Sequence, residues 1–191
     1  MKVNKVLVLT SLGIMISILL TMSSGFQVQA KEQSYSLATT EIYNSIHRLG
    51  YNNQAKGMKI AGLINQSANL YNVEPKILVA LIMVESSFRQ EVVSSTGDIS
   101  LAQINVKTWT KEFKRLKRSD ISEKRMHSDQ AYAISRMADI LSILASRHKN
   151  KKDWFAYYHS STPRHKKAYF IRVSAQLKKM IGPILVLANA D

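Results

Sequence analysis

Glu85 is the residue in this sequence best placed for acid–base chemistry. It follows Ile77 to Val84, eight consecutive apolar residues, without a break. If that run is buried, the carboxyl at its end is drawn into apolar surroundings. Burial disfavours the ionised form and raises the pKa. If the run is helical, the negative end of the helix dipole pushes the same way. A carboxyl that stays protonated near neutral pH can protonate the leaving oxygen of a glycosidic bond. The alternative is a glutamate that emerges onto the surface where the run ends, as most glutamates are exposed.

Other chemistries lack their patterns. The sequence has no cysteine, which excludes disulfides, thiolate metal sites and a lipid-modified N-terminus. The five histidines, His47, His127, His148, His159 and His165, show no His-x-x-x-His spacing and read as surface or structural residues. There is no Gly-rich phosphate loop and no Gly-x-Ser-x-Gly elbow. We expect no metal and no cofactor.

Positioning Glu85 requires helices. Pro75 suits the first turn of a helix because its missing N–H is not needed there. A helix apolar on every side is one enclosed by protein. A buried strand is the competing reading of Ile77 to Val84, but Pro75 and the mix of Leu, Ala and Met favour helix. Upstream, Lys31 to Thr40 reads as a polar lead-in. Ile42, Ile46 and Leu49 then recur at helical spacing and end near Gly50, and a second helix is expected over Met58 to Tyr71.

Downstream, Arg89 to Ser100 is loop-like, with turn chemistry at Ser94-Ser95-Thr96-Gly97-Asp98. Short helices are expected at Val106 to Phe113 and Trp154 to His159. A long helix carries Ala131, Ile134, Ala138, Leu141 and Ala145. A last one carries Tyr169, Val173, Leu177 and Ile181 on one stripe and stops at Gly182-Pro183. With no repeat and no convincing strand pair, the reading is one mainly α domain.

Composition agrees. Of 191 residues, 46% are apolar and 21% charged, enough for a real core and too apolar for a disordered chain. The formal charge is +14; removing Lys2 and Lys5, and no acid, with residues 1–30 leaves +12. Such a charge favours polyanionic surroundings. The clusters Lys114 to Arg118, Arg147 to Lys152 and Arg164 to Lys167 could supply a basic face, although any one of them also reads as a solvated helix end or loop. No nucleic-acid recognition motif accompanies the charge, so no nucleic acid is expected as a partner.

The residues after Glu85 carry a specific pattern. Glu85-Ser86-Ser87-Phe88, then Ser94, Gly97, Leu101 and Gln103, match without a gap a motif of Glu-Ser-x-Phe, five residues, Ser, two residues, Gly, three residues, Leu, one residue, Gln. In this the sequence resembles the soluble lytic transglycosylases, which share a lysozyme-like fold with goose-type lysozymes. Tyr71-Asn72-Val73-Glu74-Pro75 resembles that family's entry to its catalytic helix. Tyr158, and Tyr169 with Val173, resemble its third motif and closing helix. The resemblance spans roughly Ala61 to Leu177.

It implies a single lysozyme-like helical domain over 31–191 with a substrate cleft. Glu85 would be acid and then base, and Ser86 would fix the geometry of the catalytic segment. Ser94, Gln103 and Asn105 would bond the sugars, Tyr158 would stand over the cleft, and Tyr169 would support its wall, although the apolar stripe gives Tyr169 an equal claim as core. The implied reaction cuts the bond between N-acetylmuramic acid and N-acetylglucosamine in peptidoglycan glycan strands, leaving an anhydro-muramyl end.

The sequence departs from the family at Ser100, Ala102 and His159, where glycine, methionine and asparagine are usual. If that glycine has positive φ, serine adds about 1 kcal/mol of strain. The rivals are a lysozyme-type hydrolase on the same fold and a wall-binding scaffold protein with weak activity. Small enzymes of this family often open the wall for secretion or conjugation machinery, which makes such a partner an expectation here.

The N-terminus sets the compartment. Lys2 and Lys5 precede a charge-free stretch, apolar from Val6 to Met22, that ends in Val28-Gln29-Ala30. This is the three-part layout of a secretory signal peptide over 1–30, and it sends the protein to the periplasm or cell wall. An uncleaved membrane anchor is the alternative. Thr10, Ser11 and Ser17 shorten the apolar core and favour cleavage. N-terminal sequencing of exported protein should therefore begin at Lys31; recovery of Met1 in a membrane fraction would replace cleavage with anchoring.

Overall fold

The computed structural model describes residues 37–181. The signal segment 1–30, most of the polar lead-in and the Gly182-Pro183 stop lie outside the described residues. Among those described, the chain forms seven α-helices and one short 3-10 helix: α1 (37–48), α2 (Gln54–Tyr71), α3 (Pro75–Ser86), α4 (Val106–Arg115), α5 (Glu123–Ser128), α6 (Gln130–Arg147), the 3-10 helix (Trp154–Tyr158) and α7 (Pro163–Ile181). The mainly α expectation holds. The only β pairing described is two isolated bridges, Val93 with Ile99 and Ile99 with Ile104.

The apolar run is helix and lies at the centre. Leu78, Val79, Ala80, Leu81 and Ile82 have no exposed surface. Helix α3 packs on α2 and α7, α2 packs on α6, and α6 and α7 both pack on the 3-10 helix. The described residues from Thr39 onward form one compact unit. Arg48 on α1 donates to the Met180 carbonyl on α7 at 2.7 Å, joining elements 132 residues apart. Asp139, buried inside α6, is held by ion pairs from Arg118 and Arg136. A charge so enclosed requires partners.

Boundaries follow the caps. Helix α2 begins at Gln54, four residues before the expected Met58, because the Asn53 side chain accepts the Lys56 N–H at 3.0 Å. Helix α5 was not expected; Ser122 caps it through the Arg125 N–H. Residues 37–40 belong to α1 rather than to a loop. Helix α4 runs on to Arg115, two residues past Phe113.

Two stripes need correction. On α7, Tyr169 and Val173 are buried but Ile181 is 61% exposed, and Met180 takes its place in the core. Each step of four residues advances the face by about 40°, so three steps leave it, whereas eleven residues return to within about 20°. On α6 the buried set from Tyr132 to Leu144 is much wider than a stripe, and Ala131 at its start is exposed.

Gly57 illustrates how closely α1 and α2 approach. A Cβ there would lie 2.8 Å from a ring carbon of Tyr43. Helix propensity alone makes Gly57→Ala stabilising by about 0.5–1 kcal/mol. The collision costs about 1–3 kcal/mol and dominates. Urea denaturation should show a lower midpoint for Gly57→Ala; a higher midpoint would mean that Tyr43 yields freely.

Candidate active site

Glu85 is the penultimate residue of α3, where the helix leaves the core. Its carboxyl is pushed up from an ordinary 4.5 to about 7. Burial is the main cause, and the negative charge of Asp98 adds to it. The Tyr169 hydroxyl, donating to Glu85 Oε1 at 2.5 Å, and the Arg172 guanidinium both act the other way. Tyr169 is 1% exposed. Burial and the adjacent Glu85 hold its phenol well above an ordinary value of 10, so it remains a donor.

The chain turns sharply after Glu85. Ser87 and Phe88 both have positive φ, 53° and 65°. Such a conformation is rare for a bulky residue. It persists because Phe88 is buried and packs against Tyr51 at 5.3 Å between ring centroids. The returning loop is then fastened by three side chains to three successive carbonyls. Gln103 donates to Ser100 O at 2.9 Å, Ser86 to Leu101 O at 2.8 Å, and Tyr158 to Ala102 O at 2.7 Å. Gln103 also donates to Val92 O at 3.0 Å. Ser100 has φ of 69° and no exposed surface. Serine where the family pattern has glycine therefore costs about 1 kcal/mol of backbone strain.

A second cluster surrounds Asp98. Its carboxylate accepts from Thr96 at 2.7 Å, Ser94 at 3.1 Å and Asn105 at 3.0 Å. Ser94 also accepts the Asp98 N–H, and Asn105 caps α4 through the Thr108 N–H. His159 stacks on Tyr169, with centroids 4.8 Å apart and planes 8° from parallel. Burial, with the charges of Arg172 and His165, holds its imidazole below the ordinary 6.5, so it is neutral at pH 7.

The seven candidate residues thus sort by position. Glu85 and Tyr169 are in direct contact. Ser86, Gln103 and Tyr158 converge on the 100–102 backbone. Ser94 and Asn105 converge on Asp98. The contact with Glu85 is made by Tyr169, expected as support, while Tyr158 reaches past it to the loop. Sequence reasoning missed Asp98 and Arg172. A charged residue within an otherwise neutral motif could have flagged Asp98, and a position one turn beyond Tyr169 on the same helix could have flagged Arg172. Among the described residues, no group of three or more His, Asp or Glu side chains is arranged to hold a metal. None of the described helices is long and apolar enough to cross a membrane.

Comparison with known families identifies a match. A family model described as the Transglycosylase SLT domain covers residues 62–174, more than half of the chain. No curated protein matches the chain by sequence.

The Tyr169 bond favours the ionised form of Glu85, so its removal has a definite sign. Tyr169→Phe should raise the Glu85 pKa above about 7. Titration of the Glu85 side-chain carbon by NMR reads this directly. An unchanged or lower value would show that the hydroxyl does not bond the carboxylate in solution.

Proposed function

We propose that this chain, which belongs to the Transglycosylase SLT domain family, cuts peptidoglycan between N-acetylmuramic acid and N-acetylglucosamine with Glu85 as its single acid and base. Membership gives the lysozyme-like fold, peptidoglycan as the polymer acted on and lytic transglycosylase-type chemistry. The observation that supports the finer reading is one carboxyl with a value of about 7, at the end of a buried helix and bonded by a tyrosine.

In the proposed reaction, Glu85 delivers its proton to the bridging oxygen as the bond from that oxygen to the anomeric carbon breaks. Positive charge develops on the muramyl ring, assisted by its N-acetyl group. Glu85, now ionised and stabilised by Tyr169 and Arg172, takes the proton of the muramyl 6-hydroxyl. That oxygen closes on the anomeric carbon to give the anhydro end, and no water is consumed. Glu85 must therefore work in both protonation states, and a value close to neutral makes both accessible.

Asp98 favours a second reading. Its charge is felt at Glu85, and a second carboxylate is what hydrolytic glycosidases use to activate water. In that case the product carries a reducing end, and Glu85 keeps its role as acid. For the cellular setting, the signal-like segment 1–30 supports action outside the cytoplasm, at the wall. Service to a secretion or conjugation machine rests on the family resemblance alone.

Glu85→Gln tests the assignment. The amide keeps the size and can accept from Tyr169 but cannot transfer a proton, so glycan release should fall by about 10²–10⁴-fold. Mass analysis of digested wall separates the readings, because an anhydro end is lighter by one water. Full activity of Glu85→Gln would sink the catalytic role, and a reducing end would select hydrolysis.

Stability should respond as well. The folded value lies above the unfolded one, so between pH 4.5 and about 7 the native state keeps a proton that the unfolded chain releases. Native stability attributable to this group is then lost as pH rises through that window, by about 3 kcal/mol in all. Glu85→Gln should remove this loss, melting higher than wild type at pH 8 and no higher at pH 4.5; equal curves at both would mean that the carboxyl is not desolvated.

A further inference from the structure

The 3-10 helix presents its two adjacent tyrosines to different surroundings. Tyr158 is buried and bonds the loop behind Glu85. Tyr157 is only half-buried, and its phenol oxygen accepts from two ammonium groups, Lys151 at 2.7 Å and Lys166 at 3.1 Å. Both ammonium groups also lie over its ring, at 5.1 Å and 4.2 Å from the centroid. His148 stacks on the ring at 3.7 Å and 11°. Two basic clusters far apart in sequence, 147–152 and 164–167, therefore meet at one side chain.

The charge assembled there is under-compensated. Asp153 pairs with Lys166 at 2.7 Å, and Glu112 pairs with Arg147. Lys149, Lys152, Arg164 and Lys167 are exposed and have no ion pair among the described residues. Helix α7 starts within the cluster with no acid in its first turn. The positive end of its dipole thus adds to the cations instead of offsetting them, an arrangement that costs stability in isolation. A fold that concentrates like charge at one point is compensated when an anion binds there.

We propose that this surface is a second substrate-binding region, which holds the carboxylates of peptidoglycan peptide side chains while the glycan occupies the Glu85 site. Two observations select this partner over other polyanions. Peptidoglycan is the polyanion that family membership associates with the chain. The surface is also continuous with the candidate active site through the shared 3-10 helix, so one polymer can engage both. Lysine dominance fits the task, since compact, mobile ammonium groups suit carboxylates whose positions vary along a wall better than a fixed fork does. The region would make the protein prefer walls with free peptide carboxylates over walls in which those groups are amidated. The proposal rests on the peptidoglycan assignment but not on catalysis by Glu85.

The test compares two wall preparations, intact sacculi and sacculi whose peptide carboxylates have been chemically amidated. Wild-type full chain should bind the amidated wall about tenfold more weakly. A variant carrying Lys149→Gln, Lys152→Gln and Lys167→Gln, all at exposed positions, should bind intact wall with the same loss and no longer distinguish the two. Its circular dichroism and its cleavage of peptide-free glycan strands should match wild type.

His148 reports the location. Burial, with Lys151, Arg147 and Lys166, holds its imidazole below the ordinary 6.5, and a soluble wall peptide with free carboxylates should raise that value. Equal binding of wild type to both walls would overturn the proposal, as would undiminished wall binding by the triple variant. Tighter binding to polyphosphate or duplex DNA than to intact wall would reassign the surface to phosphate polyanions and overturn it too. Because binding is read without turnover, a catalytically silent Glu85 leaves this result interpretable.

Discussion

Helix α3 has no polar side, and its neighbours are arranged around that fact. An apolar cylinder must be covered all round, so α2 and α7 flank it and the 87–105 loop folds over its end. Covering the helix also covers the first carboxyl that follows the apolar run. The same desolvation that secures the helix raises the pKa of Glu85, so core formation and tuning of the acid are one physical event. Tyr169 and Arg172 moderate it. Without their opposing effect the carboxyl would hold its proton more tightly and be a poorer acid.

The loop shows where rigidity is placed. Three side chains occupy three consecutive carbonyls, and three of the residues closest to those bonds, Phe88, Ser100 and Gln103, hold positive φ. Strain of this kind survives only where surrounding contacts over-determine the backbone. Ser86, Gln103 and Tyr158 supply such contacts. Their occurrence in a motif around Glu85 therefore has a backbone explanation, with no substrate needed to account for it. Ser94 and Asn105 play the equivalent part for Asp98.

Much of this was legible in the sequence because the strongest signals are local. Eight apolar residues after a proline specify a buried helix and the position of Glu85, and the spacing from Glu85 to Gln103 specifies the turn and loop. What escaped depended on capping or on tertiary distance. Helix α5 is six residues long and has too few positions to show a period. The early start of α2 depends on one asparagine side chain. The choice between Tyr158 and Tyr169 as the partner of Glu85 depends on how α7 crosses α3, and no local pattern encodes that. Asp98 was overlooked because its significance lies in the three side chains that turn toward it.

The bond between Tyr169 and Glu85 spans 84 residues, and that between Arg48 and Met180 spans 132. Both close only when the last helix is in place. A chain that emerges N-terminus first, from a ribosome or a membrane channel, exposes α3 long before α7 arrives to cover it. Until then the Glu85 carboxyl is hydrated and has the acidity of any free glutamate. The order of emergence thus acts as a timer: Glu85 gains its raised pKa and its tyrosine partner only once the last helix has been delivered.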